Sequence, residues 1–438
     1  MTPFNPIRSV PATAGYGAGD VLVIFGEVFG RGYVNGLIDA AEKIGMSVVY
    51  GTVGRRDAEG NMRPLTEEEL AEKGHAPIVN VPLEAGFDKE DMGNGQTLIE
   101  MLNATGKDWE TAALDFDAIE MGRQKGETRF KGQVAAYLEA LRPHIPAGKN
   151  VLFAHTMAGG IPGSKRVLAV SNRIFKGQGA RAQSSQAFWE SPMGRACEIS
   201  FEEVTARTLT HLVDGTSTLK SELEAAGGKV NYVAYGYHGT ECLIDGAYTW
   251  QTYVPYLQGF AKIRLEDAAA DARAKGVNAS VYNAPEILTN SSGLFVGVEL
   301  PLYRLISALA NEAESAGFVD EVKAACAAKL TDGAEALATM QGILDTYHGA
   351  DFVQFVKTFE TWPQHNQTEQ MDLMLNSSAQ LRAMHKDSDD LMTSYLSTLV
   401  FTACGHIMLH NSWVADSAAY WMGHDIISKT LGTTGLPA

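Results

Sequence analysis

Apolar and polar positions along the chain alternate between two rhythms. Val21 to Phe25 is a short, uninterrupted apolar run closed by Gly26, the pattern of a parallel strand covered on both faces. A glycine-rich turn follows, then Val34, Leu37, Ile38, Ala41 and Ile44 at helical spacing, then a second apolar run from Met46 to Tyr50. This is a strand, helix, strand unit of the length a right-handed crossover needs. "APIVNVPL" predicts a third strand, "FKGQVAAYLEALRPHI" a helix and "NVLFAHTMAGG" a fourth strand ending in glycines. The stretch from Ser200 to Gly228 predicts one long helix, with Ser200 as its cap and Glu203 three residues on. "KVNYVAYGYHG" predicts a fifth strand, Tyr248 to Lys262 the front of the next helix, and "VNASVYNAPEILT" a sixth strand. Such alternation predicts the α/β class, a Rossmann-type doubly wound parallel sheet. Beyond about residue 310 the rhythm is helical, so the chain divides into a dinucleotide-binding unit at 1–310 and a helical C-terminal region at 311–438. The Met, Trp and Tyr positions of that region fit plain core better than an acyl pocket.

At 438 residues, 45% hydrophobic and 20% charged, the chain has material for a large core. No apolar run approaches 18 residues and the first twenty lack the order of a signal peptide, so a cytoplasmic protein without membrane association is expected. Cys197, Cys242, Cys326 and Cys404 are far apart and read as reduced, buried thiols. His155, His238, His406, His410 and His424 share no convincing ligand spacing with a carboxylate, so no metal is expected. The net charge of -17 argues against a nucleic-acid surface. Against it stands Gly160 to Trp189, with Lys165, Arg166, Arg173, Lys176 and Arg181 and no carboxylate, which suits either an anionic ligand or a solvated loop facing acids elsewhere.

The first turn reads Gly26-Glu27-Val28-Phe29-Gly30-Arg31-Gly32. Glycines permit the tight turn and close backbone approach, and the following helix offers free N–H groups and positive dipole to a pyrophosphate. Gly26, Phe29, Gly30, Arg31 and Gly32 are therefore cofactor-binding candidates, with a bare tight turn as the alternative. After the second strand, "GTVGRRD" puts Arg55 and Arg56 where an NAD site has a carboxylate, which favours NADP(H) over NAD(H) because guanidinium groups match a 2′-phosphate. Pro255 suits the first turn of a helix, so that helix is expected to begin around Val254, with Tyr253 just outside it. Tyr256, six residues before Lys262, would lie about 240° round the helix from the lysine, on another face.

Order and spacing over roughly residues 20 to 300 resemble the short-chain dehydrogenase/reductase superfamily. Gly26, Gly30 and Gly32 have its G-x3-G-x-G spacing, and Ala158 and Gly159 match the end of its strand-four motif. The catalytic stretch departs from the common branch: Gln258 stands four before Lys262, and "VAYGYHG" has no serine. It looks more like the enoyl-ACP reductases, with "GFAK" around Lys262, Tyr237 in place of the strand-end serine, and Tyr253 to Lys262 in Tyr-x8-Lys spacing. The resemblance implies hydride transfer from NADPH to the β-carbon of a 2-enoyl thioester on CoA or acyl carrier protein. It casts Tyr253 as donor to the enolate, Tyr237 as second candidate, Lys262 as holder of the nicotinamide ribose and Thr289 as contact to the carboxamide. The basic stretch would then meet the carrier's phosphates, and a homo-oligomer is expected. A carbonyl or hydroxyl oxidoreductase of the same superfamily and a non-catalytic NADP-binding sensor or scaffold remain as alternatives.

Overall fold

The computed structural model describes residues 3–160, 162–251, 257–293, 295–312, 316–351, 353 and 365–437. Eleven strands are present among them: β1 (Val21–Phe25), β2 (Ser47–Thr52), β3 (Arg55–Arg56), β4 (Met62–Arg63), β5 (Ile78–Pro82), β6 (Val151–His155), β7 (Val230–Gly236), β8 (Thr240–Ile244), β9 (Ala247–Gln251), β10 (Ala279–Asn283) and β11 (Ala419–Trp421). Seven form one sheet in the order β11-β10-β7-β6-β1-β2-β5, and every neighbouring pair is parallel. The doubly wound α/β reading is thus what the chain adopts.

The uninterrupted apolar runs make physical sense here. In β1, Leu22 and Ile24 join one core, while Val21, Val23 and Phe25 join the other, so a strand with helices on both sides has no polar face to offer. On one side the helix Val34–Lys43 crosses the helix Met392–Ser412. The crossing is close because two glycines meet: a Cβ on Gly36 would come within 1.9 Å of the Phe401 carbonyl oxygen, and one on Gly405 within 2.0 Å of Gly36. By length and composition Met392–Ser412 could cross a membrane, but 67% of its apolar window is buried inside the fold. On the other side, Phe116–Leu141, Thr208–Gly215 and Leu257–Ala274 cover the sheet. All four cysteines are buried free thiols.

Several elements differ from the sequence reading. Ser200 does not cap a helix: Ser191 does, accepting from the Gly194 N–H with Pro192 in the first turn, and Ser200 lies buried inside Pro192–Phe201. Glu203 is likewise no capping partner. It sits buried in a π-helical turn, Glu202–Arg207, where it accepts from Arg123 at 2.9 Å and pairs with Arg207 at 3.2 Å. Residues 248–251 are not the front of a helix but the end of an antiparallel hairpin, β8 with β9, turning at Asp245 and Gly246, both with positive φ. The following helix is described as Leu257–Ala274; Tyr253, Val254, Pro255 and Tyr256 lie outside the described residues. The C-terminal region, read as helical, also supplies the sheet's last strand, β11, beside β10.

Candidate active site

In the sheet order, β2 and β5 lie to one side of β1 and β6 lies to the other, so the loops after β1 and β6 leave in opposite directions. A crevice opens at the carboxyl ends of strands at such a point. The chain places a cavity of about 260 Å3 there. Its walls come from the turn after β1, the ends of β6 and β7, Lys262 on the helix Leu257–Ala274, and Glu286, Ile287, Thr289, Asn290, Ser292, Phe295 and Val298 after β10.

The turn after β1 is shaped for something bulky and anionic. Gly26 has φ 129°, and a Cβ on it would stand 2.3 Å from Thr156 Oγ1, so a side chain is barred by both backbone and space. Gly30 faces open space, and the nearest atom to a Cβ on Gly32 would be Asn35 Nδ2 at 4.0 Å. The helix that follows has no side-chain cap at Tyr33 and no acidic residue in its first turn. Its N-terminal dipole therefore meets no carboxylate from the helix itself, which fits a diphosphate, while the Asn35 and Gly36 N–H groups donate to the Gly32 and Tyr33 carbonyls at 3.3 and 3.2 Å. Asn35 steadies the turn by donating to the Phe29 and Gly32 carbonyls, 3.0 and 2.9 Å. Phe29, Arg31 and Gly32 line the cavity.

At the end of β2 the two arginines are committed to carboxylates. Arg55 donates to Glu27 at 3.0 and 3.2 Å, and Arg56 to Glu84 and to the Gly60 carbonyl. Glu27, which lines the cavity, also receives Thr52 Oγ1 and the Val53 N–H, each at 3.0 Å, and Lys73. Burial pushes its carboxyl upward, but Arg55, Lys73 and these donors outweigh it and hold the pKa at about 2. The guanidinium pair that sequence alone offered to a 2′-phosphate is therefore balanced by acids. The deciding partner, Glu27, is a residue of the glycine turn itself.

Lys262 is buried at the cavity, donating to the Tyr235 carbonyl at 2.6 Å, and burial lowers its pKa to about 8. Tyr237, also on the wall, donates its hydroxyl hydrogen to Glu286 Oε2 at 2.9 Å. Glu286 is anchored by its own N–H donating to Thr240 Oγ1 at 2.7 Å. His155 lines the cavity from the end of β6, with Nε2 2.8 Å from Thr208 Oγ1 on the helix after the π-helical turn. Burial first, and the nearby Lys262 charge second, hold its pKa at about 3, so the imidazole is neutral. Tyr33 stacks on Tyr235, centroids 5.9 Å apart, and donates to the Pro285 carbonyl at 2.6 Å, tying the turn after β1 to the loop after β10.

Of the residues picked from sequence, Phe29, Arg31, Gly32, Ala158, Tyr237, Lys262 and Thr289 all line this one cavity. Gly159 turns away toward the π-helical turn, donating to Thr205 Oγ1 at 3.2 Å and accepting from it at 2.8 Å. Tyr253 lies outside the described residues. Sequence reasoning missed Glu27, Tyr33, Tyr235 and Glu286, and weighed His155 only against metal binding. A polar residue at or just beyond the carboxyl end of a parallel strand was the available signal for His155 and Glu286.

The family model described as "Enoyl-acyl carrier protein reductase FabMG" matches residues 3–431. The apo structure of FabMG, described as a novel type of enoyl-acyl carrier protein reductase, is 45% identical, with 99% of each chain covered and a TM-score of 0.93. A FabMG structure with NADH bound is 38% identical over 99% of this chain and 100% of its own, with a TM-score of 0.79. An enoyl-[acyl-carrier-protein] reductase (NADH) from Aquifex aeolicus VF5 is 13% identical over 66% of this chain and 82% of its own, with a TM-score of 0.34. No curated protein matches.

Proposed function

The chain belongs to the FabMG family of enoyl-acyl carrier protein reductases, and on that premise we propose that it reduces 2-enoyl thioesters carried on acyl carrier protein in the cytoplasm, with NADH as the electron donor. The observation that carries this reading is the cavity at the switch point, with the uncapped glycine turn on one wall and the buried cation of Lys262 on another. Within the enoyl-reductase reading, the chain is a divergent relative of the short-chain dehydrogenase/reductase type, on the spacing of Gly26, Gly30 and Gly32 and of Tyr253 and Lys262.

NADPH, favoured from sequence, is replaced by NADH for a physical reason. A 2′-phosphate beside Arg55 would have to compete with Glu27, already seated on that guanidinium, and would bring a further negative charge to a carboxylate with its own ion pairs. A FabMG relative solved with NADH bound supports this reading.

The cofactor, when bound, supplies the hydride that goes to the β-carbon of the enoyl group. Gly30, Gly32 and the N–H groups at the start of Val34–Lys43 would hold its diphosphate, with Phe29 and Arg31 alongside, and Ala158 and Thr289 would flank the nicotinamide end. Lys262 would donate to the nicotinamide ribose, its ammonium kept in place by the Tyr235 carbonyl. As the carbonyl oxygen of the thioester gains charge, a hydroxyl must donate to it. Tyr237 has its hydrogen on Glu286, so it serves better as a fixed wall and acceptor. Tyr253, in Tyr-x8-Lys spacing with Lys262, is the donor we assign, and the nearby lysine charge would favour its phenolate after transfer.

The test follows loss of NADH or NADPH absorbance with crotonyl-acyl carrier protein, beside calorimetry of cofactor binding and the variant Tyr253→Phe. Turnover with NADH in the parent, lost in the variant while NADH still binds, is expected. NADH binding without turnover on enoyl or keto thioesters would instead mark a sensor.

A further inference from the structure

We propose that the outward face of the helix Lys165–Lys176 is the docking surface for the acyl carrier protein, and that it recognises an acidic face of that carrier. The inference rests on the reductase reading above and adds to it where the carrier sits.

The face is defined by the helix itself. Val167, Val170, Ser171, Ile174 and Phe175 are buried, and Lys165, Leu168, Ala169, Asn172, Arg173 and Lys176 are exposed, a clean division at helical spacing. Arg181, in the turn that follows, is exposed as well. In a chain of net charge -17, residues 160–189 hold five cations and no carboxylate. Among the described residues no ion pair engages Lys165, Arg166, Arg173 or Arg181. The acids near the segment are used at its margins: Asp88 accepts from the Gly163 N–H, and Asp372 from the Gly179 N–H. Among the described residues, the solvated-loop alternative, with acids paired to Lys165, Arg166, Arg173 and Arg181, is not found. Leu168, 40% exposed, adds an apolar contact in the middle of the charged face.

Position joins this face to the chemistry. The segment leaves the cavity wall at Thr156 and Ala158 and begins the helix at Lys165. From the helix's inner side Phe175 packs edge-on against Phe295, ring centroids 4.9 Å apart, and Phe295 lines the cavity. A carrier seated outside would thus stand one helix away from the crevice its thioester must enter. A second copy of the chain fits less well, because a two-fold contact places the same patch against itself, and this patch carries a single sign of charge.

The test uses the whole protein and the double variant Lys165→Glu with Arg173→Glu, neither residue being part of the cavity. Crotonyl-acyl carrier protein and the same acyl group on neutral N-acetylcysteamine are compared with NADH. We expect kcat/KM for the carrier-borne substrate to fall about tenfold or more, and that for the small thioester to stay within about twofold, with added salt eroding the wild-type preference for the carrier. Equal loss on both substrates, or no loss on either, overturns the proposal. A change of oligomeric state by light scattering would assign the face to a second copy and also overturn it. If the wild type reduces neither thioester, the reductase reading itself has failed and the docking surface falls with it.

Discussion

Replacing Lys262 by methionine should make the protein more stable while abolishing its chemistry. The ammonium lies buried with the Tyr235 carbonyl as its hydrogen-bond partner, and burial lowers its pKa from 10.5 to about 8. At about 1.4 kcal/mol per pH unit, that drop means a cost of about 3 kcal/mol for keeping the side chain charged at neutral pH. Methionine fills a similar volume without charge, at a loss of about 1 kcal/mol for the carbonyl left without its donor. The net expectation is a gain of about 2 kcal/mol at pH 7 in denaturant unfolding of the cofactor-free protein. The sign of the pH dependence follows from linkage. Between about pH 8 and 10.5 the unfolded wild type holds a proton the folded wild type has shed, so wild-type stability rises with pH there and the advantage of the variant shrinks. Buried tyrosines such as Tyr137 and Tyr232, their pKa raised by burial, titrate in both proteins and cancel in the difference. A variant already less stable at pH 7, or a gap that stays constant across that window, would refute the reasoning. NADH affinity and turnover should both be lost, the usual trade between a strained site and stability.

Two further outcomes concern Glu27 in the same cavity and a third the helix that carries its glycine turn. Glu27→Gln releases Arg55 from its partner, so the ratio of kcat/KM for NADPH over NADH should rise, and steady-state rates with both cofactors decide it; an unchanged ratio would separate Glu27 from cofactor choice. The same substitution should cost about 2–3 kcal/mol near pH 7, a contribution of the low Glu27 pKa that is present above about pH 4.5 and lost as pH falls toward 2, read by unfolding curves across that range. Gly36→Ala pushes a methyl group toward the Phe401 carbonyl, 1.9 Å from its ideal position, and should destabilise by about 1–3 kcal/mol while weakening NADH binding, because the helix that carries the turn must shift; an unchanged melting temperature would show that the crossing has slack.

The sheet was legible in the sequence because buried parallel strands write themselves as short, mostly apolar runs: six of its seven strands stood out that way, though only β1 is wholly apolar. β11 did not, since three residues carry no period. The β8–β9 hairpin did carry a signal, the Asp245-Gly246 pair between apolar positions, but the three tyrosines ahead of a lysine drew the reading toward a helix. That the glycine turn, Tyr237 and Lys262 share one cavity was legible from their spacing along the chain. What was not legible depends on partners far apart in sequence. Arg55 and Arg56 look like phosphate ligands until Glu27 and Glu84 fold onto them, and Ser200 looks like a cap until Pro192–Phe201 is seen to run through it.

The last strand of the sheet has a consequence for how the chain is made. Residue 421 is held by residues 5 and 7: Trp421 donates its N–H to the Asn5 carbonyl at 3.1 Å, and Ile7 donates to the Trp421 carbonyl at 2.9 Å. The helix Met392–Ser412, which seats the first crossover helix through Gly405, also comes late. A ribosome building this protein would therefore release almost all of it before the sheet gains its last strand and the first crossover helix its partner, at a pace of about 5–20 residues per second. In the half-made chain the Gly36 face of the helix Val34–Lys43 stays uncovered for tens of seconds, a window in which it is open to another molecule.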